Sequence, residues 1–200
     1  MGPVFDRDLY MLAWKYAATH HLGQPFPGTE LPYIVHIGAV AMEVIATLAV
    51  EPFDRPNLAV ACALLHDVIE DTATKPRPII HADLVATFGA FDGSIADGVA
   101  ALSKDPAITD KSAAIEDSLA RILGLRLLEV ALVKLADRVV NMEPPPRHWS
   151  AEKRTRYHGE ARHILERLGH ASATLSARLQ EKIARYERHL DPVNDAPPTP

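Results

Sequence analysis

Leu64-Leu65-His66-Asp67-Val68-Ile69-Glu70-Asp71 is the stretch on which the reading of the fold turns. It closes an apolar segment, Leu58-Ala59-Val60-Ala61-Cys62-Ala63-Leu64-Leu65, that has no need of four polar residues. On one continuous helix, His66 and Glu70 stack at i, i+4, and Asp67 stacks with Glu70 and Asp71. One imidazole and three carboxyls then share a patch of a greasy helix. Like charges that close repel and are costly to desolvate unless a proton or cation sits among them. A divalent metal would answer all of them. The competing reading is a helix end turning into water, with Glu70 and Asp71 simply hydrated.

Outward from this stretch the apolar rhythm is helical throughout. Val4, Leu9, Leu12, Ala13, Tyr16, Ala17 and Leu22 predict a helix over residues 4–22, with Asp6 or Asp8 as its cap. Residues 23–32, rich in Gly and Pro, read as a loop. Ile34, Ile37, Val40, Ala41, Val44, Ile45 and Leu48 form one stripe on a second helix from Tyr33 to about Val50. Pro56 suits the first turn of the next, which runs to about Asp71. A connector, residues 72–78, carries Lys75 and Arg77. Further helices are expected over 82–88, with Gly89 at C′, and over 92–102, 111–123 and 126–142. Caps at Ser150 and Ser172 start two more, ending near Leu168 and His189. There is no alternating strand pattern and no repeat. The fold class is all-α, a compact multi-helix bundle in one domain over residues 1–190. Residues 191–200 hold four prolines and are expected to be a disordered tail.

Composition narrows the function classes. The 200 residues are 48% hydrophobic and 24% charged, as in an ordinary soluble globule with room for a core. A net charge of −5 gives no global field to attract nucleic acid or an anionic membrane, so neither is expected as a partner. Cys62 is the single cysteine, inside the apolar run, and reads as a buried small hydrophobe. No apolar stretch reaches the ~18 residues of a membrane span, and no basic-then-apolar leader opens the chain, so a cytoplasmic location is expected. The oligomeric state is left open.

Three other polar positions interrupt apolar faces. His36 sits among Ile34, Val35 and Ile37, as a satisfied core histidine or as a ligand. Asp137 follows Val130-Ala131-Leu132-Val133-Lys134-Leu135-Ala136, and Asn141 lies one turn on. A buried aspartate needs a partner, but Arg138 points about 100° away around the helix. With His66 and Asp67 these supply two imidazoles and two carboxylates from three helices. That set would hold a first-row metal octahedrally and leave positions for water and substrate.

The segments Tyr33-Ile34-Val35-His36, Leu64 to Thr72, and Lys134-Leu135-Ala136-Asp137-Arg138-Val139-Val140-Asn141-Met142 resemble the HD-domain phosphohydrolases. More narrowly they are similar to the hydrolase half of the RelA/SpoT alarmone enzymes and the small alarmone hydrolases. Ala18 to Gln24 and Phe88-Gly89 fit too, and the likeness covers roughly residues 5–170. It implies that His36, His66, Asp67 and Asp137 are metal ligands, usually for manganese. It further implies that Glu70 and Asp71 organise and activate the attacking water, and that Asn141 helps hold the nucleotide. The implied reaction is hydrolytic removal of the 3′-pyrophosphate of guanosine tetra- or pentaphosphate, a small-molecule nucleotide substrate.

One departure concerns specificity. Residues 22–32 contain no Lys or Arg, with Pro25, Phe26 and Pro27 where basic residues are expected. Lys104 and Lys111 are candidates to bind the pyrophosphate, alongside Lys75, Arg77 and Arg147. The base is left open, an adenosine analogue included, as are an HD phosphohydrolase of another specificity and a non-catalytic antitoxin-like module. Tyr33 is expected at the mouth of the site, a candidate substrate contact. His20-His21 reads as a solvated helix end, and His158, His163 and the run Lys153-Arg154 with Arg156 read as a solvated face. Trp149 is expected to pack the last helices on the core.

Overall fold

The computed structural model describes residues 4–190, and the expectation of a disordered tail falls on residues outside that range. Helix α1 spans Arg7–His20, α2 Ile34–Leu48, α3 Pro56–Leu65, α4 Val68–Thr72 and α5 His81–Phe88. They are followed by α6 Ser94–Leu102, α7 Lys111–Leu125, α8 Leu128–Asn141, α9 Ala151–Leu168 and α10 Ala173–Tyr186. Short 3-10 turns, Gly169–Ala171 and Glu187–His189, follow α9 and α10. Among the described residues there is no strand, only an isolated bridge between Pro25 and Pro32. The all-α reading holds.

Caps set most starts. Asp6 accepts from the amides of Asp8 and Leu9, both at 3.0 Å, so α1 begins after it. Asp110, Ser150 and Ser172 do the same for α7, α9 and α10. Gly89 differs from the expected left-handed C′ glycine: its φ is −60°, and a Cβ there would meet the Val85 carbonyl oxygen at 2.6 Å. The left-handed cap is Arg126, φ 55°, which ends α7 three residues before Glu129 opens the buried stretch of α8.

All eight residues from Leu58 to Leu65 are buried, so α3 is apolar around its whole circumference. Such a helix belongs at the centre of a bundle. It packs against α1, α2, α6 and α8. Gly98 makes the α6 crossing close: a Cβ on it would lie 2.8 Å from Cys62 Sγ and 3.0 Å from Val130 Cγ2. Cys62 is buried as expected, and burial pushes its thiol pKa up.

The third predicted helix does not run through to Asp71. It stops at Leu65, steps through His66 and Asp67 (φ −103°, ψ −2°), and restarts at Val68 as α4. The His66 ring bonds through Nδ1 to the Ala63 carbonyl oxygen at 2.8 Å, while Asp67 faces Tyr33 and His36. The step therefore brings both side chains to one point, which a regular helix would splay about 100° apart.

Two expectations of solvated faces are corrected. Arg154 and His158 are each only 8% exposed, because α9 is packed on both sides by α8 and α10. Arg138 is likewise 8% exposed and lies over the Tyr157 ring at 4.6 Å, facing α9 rather than Asp137. His163 is half-buried and bonded to Glu116 at 2.7 Å. Trp149 packs edge-on against Tyr157, with Lys153 over its other face at 4.0 Å.

Candidate functional site

Four polar side chains meet where α2, the α3–α4 step and α8 converge. His36 Nε2 lies 3.2 Å from His66 Nε2, 3.6 Å from Asp67 Oδ2 and 3.4 Å from Asp137 Oδ1. His66 Nε2 is 2.8 Å from Asp67 Oδ2 and 3.8 Å from Asp137 Oδ1. One ligand atom each from His36, His66 and Asp67 falls within a 4.8 Å group, and Asp137 reaches both imidazoles from the α8 side. All four, drawn from segments about 30 and 70 residues apart, are brought together.

The donor set fits a divalent cation. Because His66 Nδ1 faces a carbonyl, it carries the proton and Nε2 presents a lone pair. That lone pair faces a second imidazole nitrogen and two carboxylates, an arrangement that is repulsive without positive charge at its centre. The titration tendencies say the same. Burial disfavours charge on His36, yet bonds to Asp137 and then Asp67 outweigh it and hold its pKa at about 9. Burial would raise the Asp137 carboxyl, but Lys134 first and then His36 hold it far below the usual range. The site attracts positive charge. Donors at right angles on an ion with bonds of ~2.1 Å are about 3 Å apart, close to the separations seen.

Neighbouring groups orient these side chains. Tyr33 donates its hydroxyl proton to Asp67 Oδ2 at 2.6 Å, and Asn141 Nδ2 donates to Asp137 Oδ1 at 2.5 Å. Lys134 stands 3.5 Å from Asp137 Oδ2. Tyr33 is buried, its ring tilted against both His21 and His36. Asn141 and Tyr33 thus touch the centre itself as well as the adjoining cavity.

The acidic pair divides. Because the helix breaks at His66-Asp67, Glu70 does not stack on His66. Its carboxylate instead accepts from the Lys104 amide at 3.0 Å and from Lys104 Nζ at 2.8 Å. Asp71 stays on the inner side, accepting from Gln24 Nε2 at 2.6 Å, with His21 Nδ1 3.6 Å away. Burial first, and then the Asp67 charge, push the Asp71 pKa up to about 6, against the Gln24 bond. The three carboxyls expected on one patch therefore have three different settings.

His21 is the residue that sequence reasoning missed. It is 3% exposed, not solvated, with its ring against Tyr33 and its Nδ1 2.9 Å from Gln24 Oε1. Its sequence signals were its place in the Ala18 to Gln24 stretch that carries the resemblance and its position ahead of Gly23-Gln24, where the left-handed Gly23 (φ 76°) turns the chain back.

Three hollows border the centre, the smallest of about 220 Å³ beside His36, with Phe26, Arg178 and Lys182 in its wall. Another, of about 430 Å³, is walled by Phe26, Tyr33, Asn141, Pro144 to Pro146, Trp149 and Tyr157, and no Lys, Arg or His among the described residues lines it. The third, of about 590 Å³, lies beyond Glu70 and is lined by Lys104, Lys111, Ile79 and Ile115. Lys111 is exposed at the start of α7. The two candidate cations thus lie on the Glu70 side, and Lys75 turns away to bond the His20 carbonyl oxygen.

Comparison with known proteins places the chain in a family. The HD domain family matches residues 13–175. The chain is 42% identical over 123 residues to a guanosine-3′,5′-bis(diphosphate) 3′-pyrophosphohydrolase of Haemophilus influenzae, covering 61% of this chain and 16% of that protein. It is 37% identical over 131 residues to the bifunctional (p)ppGpp synthase/hydrolase SpoT of Escherichia coli K12, covering 65% of this chain and 17% of SpoT. The chain thus spans about one sixth of the length of these relatives. A solved structure, described as a metazoan ortholog of SpoT that hydrolyzes ppGpp, superposes with a TM-score of 0.73. It is 23% identical, the match covers 94% of this chain and all of that one, and the likeness is one of fold.

Proposed function

The chain belongs to the HD domain family, and on that premise we propose that it is a metal-dependent pyrophosphohydrolase. Its substrate would be an alarmone-type nucleotide, guanosine or adenosine tetra- or pentaphosphate, from which it removes the 3′-pyrophosphate. The observation that carries this reading is the meeting of His36, His66, Asp67 and Asp137 at one point, with an acidic residue of raised pKa beside it.

His36, His66, Asp67 and Asp137 would hold the cation; their mixed nitrogen and oxygen donors suit a first-row divalent ion, and the family resemblance points to Mn2+. Such an ion supplies Lewis acidity to the phosphoryl group and to the attacking water. Tyr33 and Asn141 fix the two ligand carboxylates. Asp71 accepts the proton of the attacking water, a task that suits a carboxylate lifted to about 6. Glu70 orients that water and holds Lys104 at the edge of the larger groove. Lys104 and Lys111 neutralise phosphate charge on that side, and the nucleoside occupies the aromatic hollow beside Tyr33 and Asn141. No helix among the described residues is long and apolar enough to cross a membrane.

The test is a turnover screen with Mn2+ against guanosine and adenosine 3′-pyrophosphates and ordinary nucleotides. Adenosine is included because residues 22–32 bring no Lys or Arg to the site. Released pyrophosphate is the expected product. Orthophosphate from a monoester, with no pyrophosphate from any substrate, would assign the centre to an HD phosphohydrolase of another specificity. Full biological activity of an Asp67→Ala protein would point instead to a binding module.

A further inference from the structure

We propose that His21 and Gln24 are positioning residues, a two-step hydrogen-bond relay that holds Asp71 in the orientation its task as proton acceptor requires. This rests on the activity proposed above. The geometry starts from Asp71, whose Oδ2 receives Gln24 Nε2 at 2.6 Å. An ionised carboxylate only accepts, so the amide must present its NH2 group there and its Oε1 on the other side. Oε1 then faces His21 Nδ1 at 2.9 Å, and that nitrogen must carry a proton. His21 is thereby set as the Nδ1–H tautomer, with a bare Nε2 that is buried and has no hydrogen-bond partner among the described residues. Burial keeps the ring neutral, since it lowers the His21 pKa.

The surroundings hold the relay rigid. The Gln24 amide donates to the His21 carbonyl at 3.0 Å, and the Gln24 carbonyl accepts from the Tyr33 amide at 2.9 Å. Gly23, with φ 76°, makes the turn that returns Gln24 toward α4. The His21 ring packs against Tyr33 at 4.9 Å between centroids. Without the Nδ1–H donor, nothing in the relay would stop the Gln24 amide from rotating and turning Oε1 on the Asp71 carboxylate, a repulsive contact. Without the amide, Asp71 loses the bond that directs it inward.

The experiment compares wild type with Gln24→Met, His21→Leu, His21→Asn and the Gln24→Met/His21→Leu double variant. The substrate is the guanosine or adenosine 3′-pyrophosphate that the wild type turns over best with Mn2+. Gln24→Met is expected to lower kcat roughly 10- to 100-fold, the scale of a misplaced catalytic group, with KM within about twofold. His21→Leu lowers kcat by less, and His21→Asn, which restores an N–H near the Nδ1 position, recovers most of it. The double variant is no slower than Gln24→Met alone, because the only hydrogen bond His21 makes in the relay is to Gln24, its Nδ1 standing 3.6 Å from Asp71. Long-range proton–nitrogen NMR of the wild-type imidazoles should show His21 as the neutral Nδ1–H tautomer. Undiminished kcat in Gln24→Met, multiplicative losses in the double variant, or an Nε2–H tautomer would each overturn the relay. A wild type that turns over none of these substrates sinks the proposed function instead, and the relay's catalytic role with it.

Discussion

The Tyr33 hydroxyl donates to Asp67 Oδ2 at 2.6 Å, so the residue that opens α2 holds a carboxylate on the step between α3 and α4. Tyr33→Phe removes that bond and keeps the ring in place against His21 and His36. Loss of such an outer partner weakens metal binding about 10- to 100-fold, while the fold loses only ~1 kcal/mol. Calorimetric titration with Mn2+ and a thermal melt would separate the two effects. Unchanged affinity would mean that Asp67 needs no help from Tyr33.

Asp71 works as a base only when ionised, and its pKa stands at about 6. Turnover should therefore fall about tenfold per pH unit below 6 and level off above it. Asp71→Asn should cost on the order of 100-fold or more at the plateau. A pH–rate profile with no acid limb between 5 and 7 would remove Asp71 from this role. Glu70→Gln should lower the plateau and leave the acid limb in place, since Glu70 orients the water and holds Lys104 but does not take the proton.

Lys104 bonds a half-buried Glu70 and borders the larger groove. Lys104→Met should raise KM for a pyrophosphorylated substrate by about 10-fold, the scale of one charge-assisted contact. Because the pair is open to water on the Lys104 side, stability should change by no more than ~1 kcal/mol. Steady-state kinetics and a urea melt check both parts. An unaltered KM would move the phosphate away from this groove.

The central packing makes its own prediction. Gly98→Ala puts a methyl 2.8 Å from Cys62 Sγ and 3.0 Å from Val130 Cγ2, where α6 crosses α3 and α8. Overpacking of this kind costs about 1–3 kcal/mol, more than the ~1 kcal/mol of helix propensity that alanine brings. Adding Cys62→Ala should restore part of the loss. A more stable Gly98→Ala protein would mean that the crossing is looser than described.

The helices were readable because their apolar spacing and caps act locally: Asp6, Ser150 and Ser172 start α1, α9 and α10 as their side chains dictate. His36, His66, Asp67 and Asp137 stood out for a related reason, being polar residues on faces that otherwise pack the core. The break at His66-Asp67 was not readable. Nothing in Leu65-His66-Asp67-Val68 opposes a helix, and the step reflects partners far away in sequence, Tyr33 and His36. The parting of Glu70 from Asp71 follows from the same step. Arg154 and His158 were misread because α9 is strongly polar, while its neighbours α8 and α10 cover it from two sides. His21 was hidden by its exposed neighbours, Leu22 and Gly23, and its burial comes from Tyr33 folding over it.

The most direct test of the account is a Mn2+ titration of the purified, chelator-stripped protein, followed by thermal melting. One ion should bind per chain. At ~100 times the dissociation constant it should add about 2.7 kcal/mol of stability, with Tm rising on the order of 5–10 °C. His66→Ala and Asp137→Ala should abolish both binding and the rise in Tm. If wild type and these variants respond to Mn2+ alike, or none responds, His36, His66, Asp67 and Asp137 do not form a metal centre.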